Sequence, residues 1–419
     1  MPSSAPAREL DLVLYGVTGF VGALLAKYVA TAAPAGARIG LAGRDTARVE
    51  KVRTDLGDAA ASWSILRADA TDPTSLRDMA ERAQVVVTTV GPYAAYGLPV
   101  VEACVEAGTD YADLTGEALF VRSSIDGFHD RALEAGSRIV HSCGFDSIPS
   151  DLGVYLTYLR ALEDGEGELE SSTLVCTFKG GLSGGTIASG RGQMRAIAED
   201  KSLAKVVSDP YVLSTDRALE TDLGQQSDTA LSRASAIDSS LTGWITTFLM
   251  APYNTRVVRR SNALLGWAYG KQFRYREVLR VPGRMAPVAA VGMAAAMWAQ
   301  SKLGPFAHRG FGPRVIDRIV PAPGTGPSAE ARDAGFFTTK TFTTTSTGAR
   351  YLATVTADGD PGYKATAVML GEAGLCLAFD REKLSTLRGV LTPAPVMAEP
   401  LAERLRNAGL TIEIERVST

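Results

Sequence analysis

The stretch Leu10-Asp11-Leu12-Val13-Leu14-Tyr15-Gly16-Val17-Thr18-Gly19-Phe20-Val21-Gly22 constrains the fold more than any other part of the chain. An apolar run that reads as a buried strand stops at a glycine. Two more glycines follow at three-residue spacing, and a helix-like segment, Phe20 to Ala33, begins at once. This is a G-x-x-G-x-x-G turn of the kind that cradles a dinucleotide. Gly16 permits the tight turn, Gly19 lets backbone approach a pyrophosphate, and Gly22 lets the helix pack close to the strand. Val17, Thr18, Phe20 and Val21 complete the phosphate-facing segment, and the positive end of the helix faces the anion.

The next strand ends in Gly43-Arg44. A cofactor with a free ribose 2′-hydroxyl is usually held by an acid at this strand end, whereas an arginine accommodates a 2′-phosphate. Asp45 comes one residue later, where it reads as a helix N-cap. The pattern favours NADPH over NADH, the bland alternative being that Arg44 is a solvated surface charge.

The first 150 residues continue as alternating strands and helices. Strands read at Leu10–Tyr15, Arg38–Ala42, Trp63–Ala68, Val85–Val90, Asp110–Leu114 and Arg138–His141, with helices near Thr46–Leu56, Thr74–Ala83, Leu98–Ala107 and Phe120–Ala135. Repeated β-α-β units imply a Rossmann-type, doubly wound parallel sheet over 1–150. After Pro149 the alternation fails. Ser171–Lys179 reads as a strand, Phe336–Thr345 and Arg350–Ala357 as a hairpin, and Tyr363 to Phe379 as an apolar helix. These suggest a second, α+β domain over 151–385 with an antiparallel sheet and the substrate surface. Residues 386–419 add a helix from Thr392-Pro393 to about Asn407 and a strand.

Within the second half, Arg256 to Arg318 holds twelve Lys/Arg against two acids, in a chain whose net charge is −3. This basic insert suits an acidic partner such as a carrier protein. It contains the apolar run 285–299, too short to span a bilayer but suited either to peripheral membrane contact or to burial. The net charge argues against a nucleic-acid binder. Four scattered cysteines suggest reduced thiols in a cytoplasmic protein. Three histidines without H-E-x-x-H spacing predict no metal, and no secretory signal is evident.

Ligands bind at the carboxyl ends of such strands, so those ends hold the candidate site. Asp69 is placed to reach an adenine edge or to close its own loop. Gly91-Pro92 would hold backbone near the nicotinamide, and Tyr93 or Tyr96 could supply a phenolic proton, although each tyrosine also suits packing. Asp113 and Glu117 form a carboxylate pair on the same rim. Asp146 or Ser147 reads as a helix cap. His141 and Cys143 allow a nucleophile reading without an identifiable orienting group. No tyrosine is followed four residues later by lysine. Gly181-Leu182-Ser183-Gly184-Gly185 matches the hydrolase G-x-S-x-G turn, but beside a nucleotide fold it reads better as a helix start.

The motifs at 14–20, 41–44, 89–93, 111–117 and 143–149, with Ala251-Pro252-Tyr253-Asn254-Thr255-Arg256, Trp267-Ala268-Tyr269-Gly270 and Arg388-Gly389-Val390-Leu391-Thr392-Pro393, resemble the saccharopine-dehydrogenase-like oxidoreductases. Among these the chain looks most like mycobacterial trans-acting enoyl reductases. That resemblance implies NADPH-dependent reduction of a C=C bond in polyketide or fatty-acyl thioesters, serving a polyketide synthase in phthiocerol-type lipid synthesis. It carries over the cofactor turn and the Gly91-Pro92-Tyr93 loop but no catalytic residue. Two alternatives stand beside it: an imine or carbonyl reductase of the same fold, and a non-catalytic, membrane-associated NADP(H) binder.

Overall fold

The computed structural model describes residues 8–180, 184–224, 226–283, 285–295 and 326–417. The N-terminal apolar runs form β1 (Leu10–Tyr15), β2 (Ile39–Gly43), β3 (Ser64–Arg67), β4 (Ala83–Thr88), β5 (Asp110–Ala112) and β6 (Arg138–Val140). Helices α1 (Phe20–Ala32), α2 (Thr46–Asp55), α3 (Pro73–Arg82), α4 (Tyr93–Ala107) and α5 (Ala118–Ala135) connect them. All pair in parallel, in the order β13-β6-β5-β4-β1-β2-β3, where β13 is Gly389–Leu391. Leu12, Val13 and Leu14 have no exposure, as a strand covered on both faces requires. The order from β3 to β6 is that of the doubly wound dinucleotide fold, with its switch point between β1 and β4.

Helix α4 starts five residues earlier than expected. Pro99 therefore lies within the helix.

The chain divides into two compact units whose limits differ from the sequence-based ones. The first comprises residues up to Thr115, Ser123–Gly144 and Thr366–Arg404; the second comprises Gly116–Arg122, Phe145–Ala365 and Leu405 onward. The helix Thr366–Phe379 explains much of the difference. It is buried on nearly every side and so needs a partner all round. Gly371 presses on Tyr28 and Leu25, and Gly374 on Val87 and Leu12, at distances that leave no room for a Cβ. β13, three residues long, carries too little pattern to be read as a strand in advance.

The second unit is built on a sheet of order β14-β12-β11-β7-β10-β9-β8. Its strands are β7 (Leu169–Lys179), β8 (Leu231–Arg233), β9 (Trp244–Thr247), β10 (Arg274–Val281), β11 (Phe336–Thr345), β12 (Arg350–Asp358) and β14 (Thr411–Val417). The expected hairpin is β11 and β12. The sheet is mixed, because β7 and β10 run parallel among otherwise antiparallel pairs. On one face Thr339, Thr341 and Thr343 are buried. Two of these hydroxyls are bonded, Thr343 to Ser172 and Thr339 to the Val355 carbonyl. α6 (Ile148–Glu163) covers this face, where Gly153 lies against Thr341 and Ala353. α7 (Gly184–Glu199), α8 (Ser202–Ser208) and α9 (Ala251–Leu264) are further helices of this part of the chain.

The basic stretch is therefore not an insert, since β10 lies inside the sheet. Arg256, Arg259 and Arg260 of α9 are buried and do not form a docking surface. Arg256 pairs with Asp228, Arg259 donates to the Tyr275 carbonyl and Gln226, and Arg260 to the Leu213 carbonyl. Such stems pack as apolar matter while their heads meet fixed acceptors.

Candidate active site

Gly16 adopts φ +94°, and a Cβ there would meet Val90 and Thr89 at 2.7 and 2.9 Å. A Cβ on Gly22 would stand 2.2 Å from the Gly16 carbonyl oxygen. Gly19 N donates to that same oxygen at 3.0 Å and fixes the turn. A Cβ on Gly19 would meet nothing closer than 3.4 Å, so the exposed backbone there stands open for close approach. Gly19 is the N-cap of α1 and has no side chain to occupy the first-turn N–H groups. Val17 is fully buried and contributes main chain only; Thr18, Phe20 and Val21 are partly exposed. This cradle fits a pyrophosphate.

At the end of β2, Arg44 is exposed. Asp45 turns inward to cap α2 through Ala47 N and Arg48 N, both 3.1 Å away, and so leaves the strand end without an acid aimed at a ribose. Asp69 accepts from Thr71 N and Thr71 Oγ1 at 2.9 and 2.8 Å, closing its own loop. Those bonds hold its carboxyl below the usual range, with Arg44 and Arg67 contributing. Burial and the Asp69 charge push the Tyr15 hydroxyl up to about 12.

Across the switch point, Thr89 N donates to the Tyr15 carbonyl at 3.0 Å, bringing the end of β4 beside Gly16. Gly91 and Pro92 form an exposed rim there. Tyr93 is buried; its hydroxyl donates to the Thr88 carbonyl at 3.1 Å and accepts from Leu114 N at 3.4 Å. That proton is committed to the main chain, so Tyr93 braces the loop. Tyr96, 39% exposed, keeps its ring at the surface of the same helix start.

Asp113 is the centre of a network that sequence reasoning only half anticipated. Its Oδ2 accepts from Tyr111 OH at 2.9 Å and lies 2.7 Å from His141 Nδ1. Its Oδ1 accepts from Thr115 N and Ser142 N, both at 3.0 Å. His141 Nε2 lies 2.9 Å from Ser124 Oγ. Asp, His and Ser thus stand in the order of a nucleophilic triad, but all three have no exposure. A nucleophile must touch its substrate, so the network is a brace joining the carboxyl ends of β5 and β6 to α5. The orienting partner of His141 is Asp113, and Cys143 is not part of the pair. Its thiol faces the Val140 carbonyl at 3.7 Å. Ser124, sixteen residues before Val140 on a separate helix, gave no local signal.

In the second unit Glu117 is buried and accepts from Ser189 Oγ at 2.6 Å. Ser147 is the N-cap of α6 but its side chain caps nothing; it donates to Asn254 Oδ1 at 3.0 Å. Asn254 donates in turn to Glu277, which also accepts from Tyr275 OH at 2.8 Å. Burial pushes Glu277 up to about 7. Gly181, Leu182 and Ser183 lie outside the described residues, as do 296–299 of the apolar run. In the described part, Met285, Val288, Val291 and Met293 are exposed while Ala286 and Ala290 are buried. Among the described residues no helix is long and apolar enough to cross a membrane, and no cluster of three metal-ligating side chains occurs.

A glycine cradle at a switch point, with an arginine at the second strand end, defines an NADP-binding oxidoreductase of Rossmann type. Residues 12–140 match the saccharopine dehydrogenase NADP binding domain family. The chain belongs to the trans-acting enoyl reductases, a branch with the saccharopine dehydrogenase fold. It is 48% identical over 419 residues to the trans-acting enoyl reductase of Mycobacterium ulcerans, covering 99% of this chain and all of that one. A Mycobacterium tuberculosis protein provisionally named for the same activity is 54% identical over 423 residues, with the same coverage. Saccharopine dehydrogenase from Saccharomyces cerevisiae superposes with a TM-score of 0.58 over 97% of this chain and 99% of its own, at 13% identity, which speaks to fold alone.

Proposed function

We propose that the chain reduces the C=C bond of 2-enoyl thioesters, polyketide or fatty-acyl, in trans to a polyketide synthase that makes phthiocerol-type lipids. The observation that carries this reading is identity of about half the residues, over the whole chain, with proteins named for that activity. Bound NADPH supplies the hydride. Gly16, Gly19 and Gly22, with the main chain of Val17, Thr18, Phe20 and Val21, hold its pyrophosphate. Arg44 meets the 2′-phosphate and Asp69 lies by the adenine end. Gly91 and Pro92 back the reacting end.

Reduction at the β-carbon leaves negative charge on the thioester oxygen, which fixed N–H or O–H donors must stabilise. A proton must then reach the α-carbon. Tyr96 is better placed than Tyr93 to give it, because the Tyr93 hydroxyl is spent on Thr88. Exposed Lys271 and Arg274 offer charge to an acidic carrier. The exposed apolar face of 285–295 suits peripheral contact with the inner face of the plasma membrane of a cytoplasmic protein.

The deciding experiment is NADPH consumption with a long-chain 2-enoyl thioester, with product mass determined. A gain of two hydrogens with marked preference for NADPH over NADH is expected. Tight NADPH binding without turnover on free or carrier-bound substrate overturns the reading.

A further inference from the structure

The second unit contains a cavity of about 330 Å3 on its sheet, formed by β7, β10, β11, β12 and β14 with the turn around Ile237. Two guanidiniums line it, and they are not equivalent. Arg350 is neutralised by Asp238 at 2.6 Å. Arg276 stands opposite Thr173 in the parallel register of β10 and β7, and its Nε donates to Thr173 Oγ1 at 3.0 Å. That bond fixes the plane of the guanidinium and leaves both terminal nitrogens to spare. Among the described residues, no carboxylate forms an ion pair with Arg276.

Ser171 and Thr344, cross-strand partners on β7 and β11, also line the cavity. Their hydroxyls make no hydrogen bond among the described residues. A forked cation and two unspent hydroxyls therefore lie in one concavity. This is the donor set that phosphoryl oxygens take, because a guanidinium binds two of them at once. The wall is mainly polar, and the side chains of Phe342 and Ile237 add apolar surface to it. The volume is in the range of small-molecule sites and well beyond the needs of a lone phosphate ion.

We propose that this cavity binds the phosphoester of a phosphopantetheine arm, carried by a protein or by coenzyme A, with the branched carbon portion of the arm against Phe342 and Ile237. The inference rests on the thioester reading above and names the handle by which such a thioester is recognised. Arg276 then selects for the phosphorylated arm, and the fixed fork reads it without rearrangement.

Calorimetric titration of the full-length protein with 4′-phosphopantetheine, pantetheine and inorganic phosphate tests this. Phosphopantetheine should bind, and pantetheine and inorganic phosphate should each bind at least about tenfold more weakly. Arg276→Gln, at an exposed position with one side-chain hydrogen bond, should fold and lose about tenfold or more of the phosphopantetheine affinity while its NADPH Kd stays the same. Equal phosphopantetheine affinity in the two proteins, no binding to the wild type, or inorganic phosphate binding as well as the arm would each overturn the proposal. Titration with coenzyme A and with a phosphopantetheinylated carrier then separates the two sources. Wild-type reduction of a phosphate-free 2-enoyl N-acetylcysteamine thioester tests the reductase reading separately, since that substrate does not use the cavity.

Discussion

The proposed nucleotide contacts rest on three glycines and one arginine, and each can be tested by the atom it lacks or supplies. Gly22→Ala would place a methyl 2.2 Å from a backbone oxygen that cannot retreat, because that oxygen already holds Gly19 N. The expected cost is about 3 kcal/mol, the upper end of ordinary overpacking. It should appear as a lower urea midpoint together with loss of NADPH fluorescence enhancement. Arg44→Ala leaves the turn untouched and should raise the NADPH Kd by roughly 10- to 100-fold, the worth of a charge-assisted hydrogen bond. The NADH Kd should change little, and a parallel loss for both cofactors would show that Arg44 does not read the 2′-phosphate. Its place at the strand end was legible from the motif. The commitment of Tyr93 to Thr88 was not, because a phenol's partner depends on how the helix start folds back.

At the level of elements, the ends of β5 and β6 are joined by a single carboxylate. Asp113 satisfies two main-chain N–H groups, a phenol and an imidazole, all in the interior. Asp113→Ala would leave these donors buried without an acceptor, and each such group costs about 1–3 kcal/mol. A loss of at least about 3 kcal/mol in chemical denaturation is expected, with NADPH affinity reduced because both loops lie on the rim of the site. The first six strands and their helices could be read closely from the sequence because each βαβ unit repeats a local alternation. β8, β9 and β10 could not. β10 reads Arg-Tyr-Arg-Glu-Val, with two arginines facing outward and a buried glutamate facing in, and its partner β7 lies a hundred residues upstream. The arginines of α9 misled for the same reason, since their acceptors come from other segments of the chain, among them Asp228, Leu213 and the Tyr275 carbonyl of β10.

For the whole molecule, Glu277 imposes a pH dependence. Its folded-state value of about 7 lies above its ordinary 4.5. Between those values the folded protein keeps a proton that the unfolded chain has released. Stability therefore falls as pH rises from about 4.5 to about 7 and levels off above, by roughly 3 kcal/mol in all. Glu277→Gln should flatten that slope in thermal melts taken across the window; an unchanged slope would place the titration elsewhere. The return of the chain to its first sheet has a further consequence, in the timing of synthesis. β6 emerges from the ribosome some 250 residues before β13, the strand that pairs with it. Throughout that interval the nascent sheet has an open apolar edge at Ile139 and Val140, and the helix Thr366–Phe379 has not yet arrived to cover β1 and β4. Nascent chains stalled near residue 150 should therefore engage chaperones and resist folding, and the nucleotide unit should become protease-resistant only after residue 404 has cleared the exit tunnel.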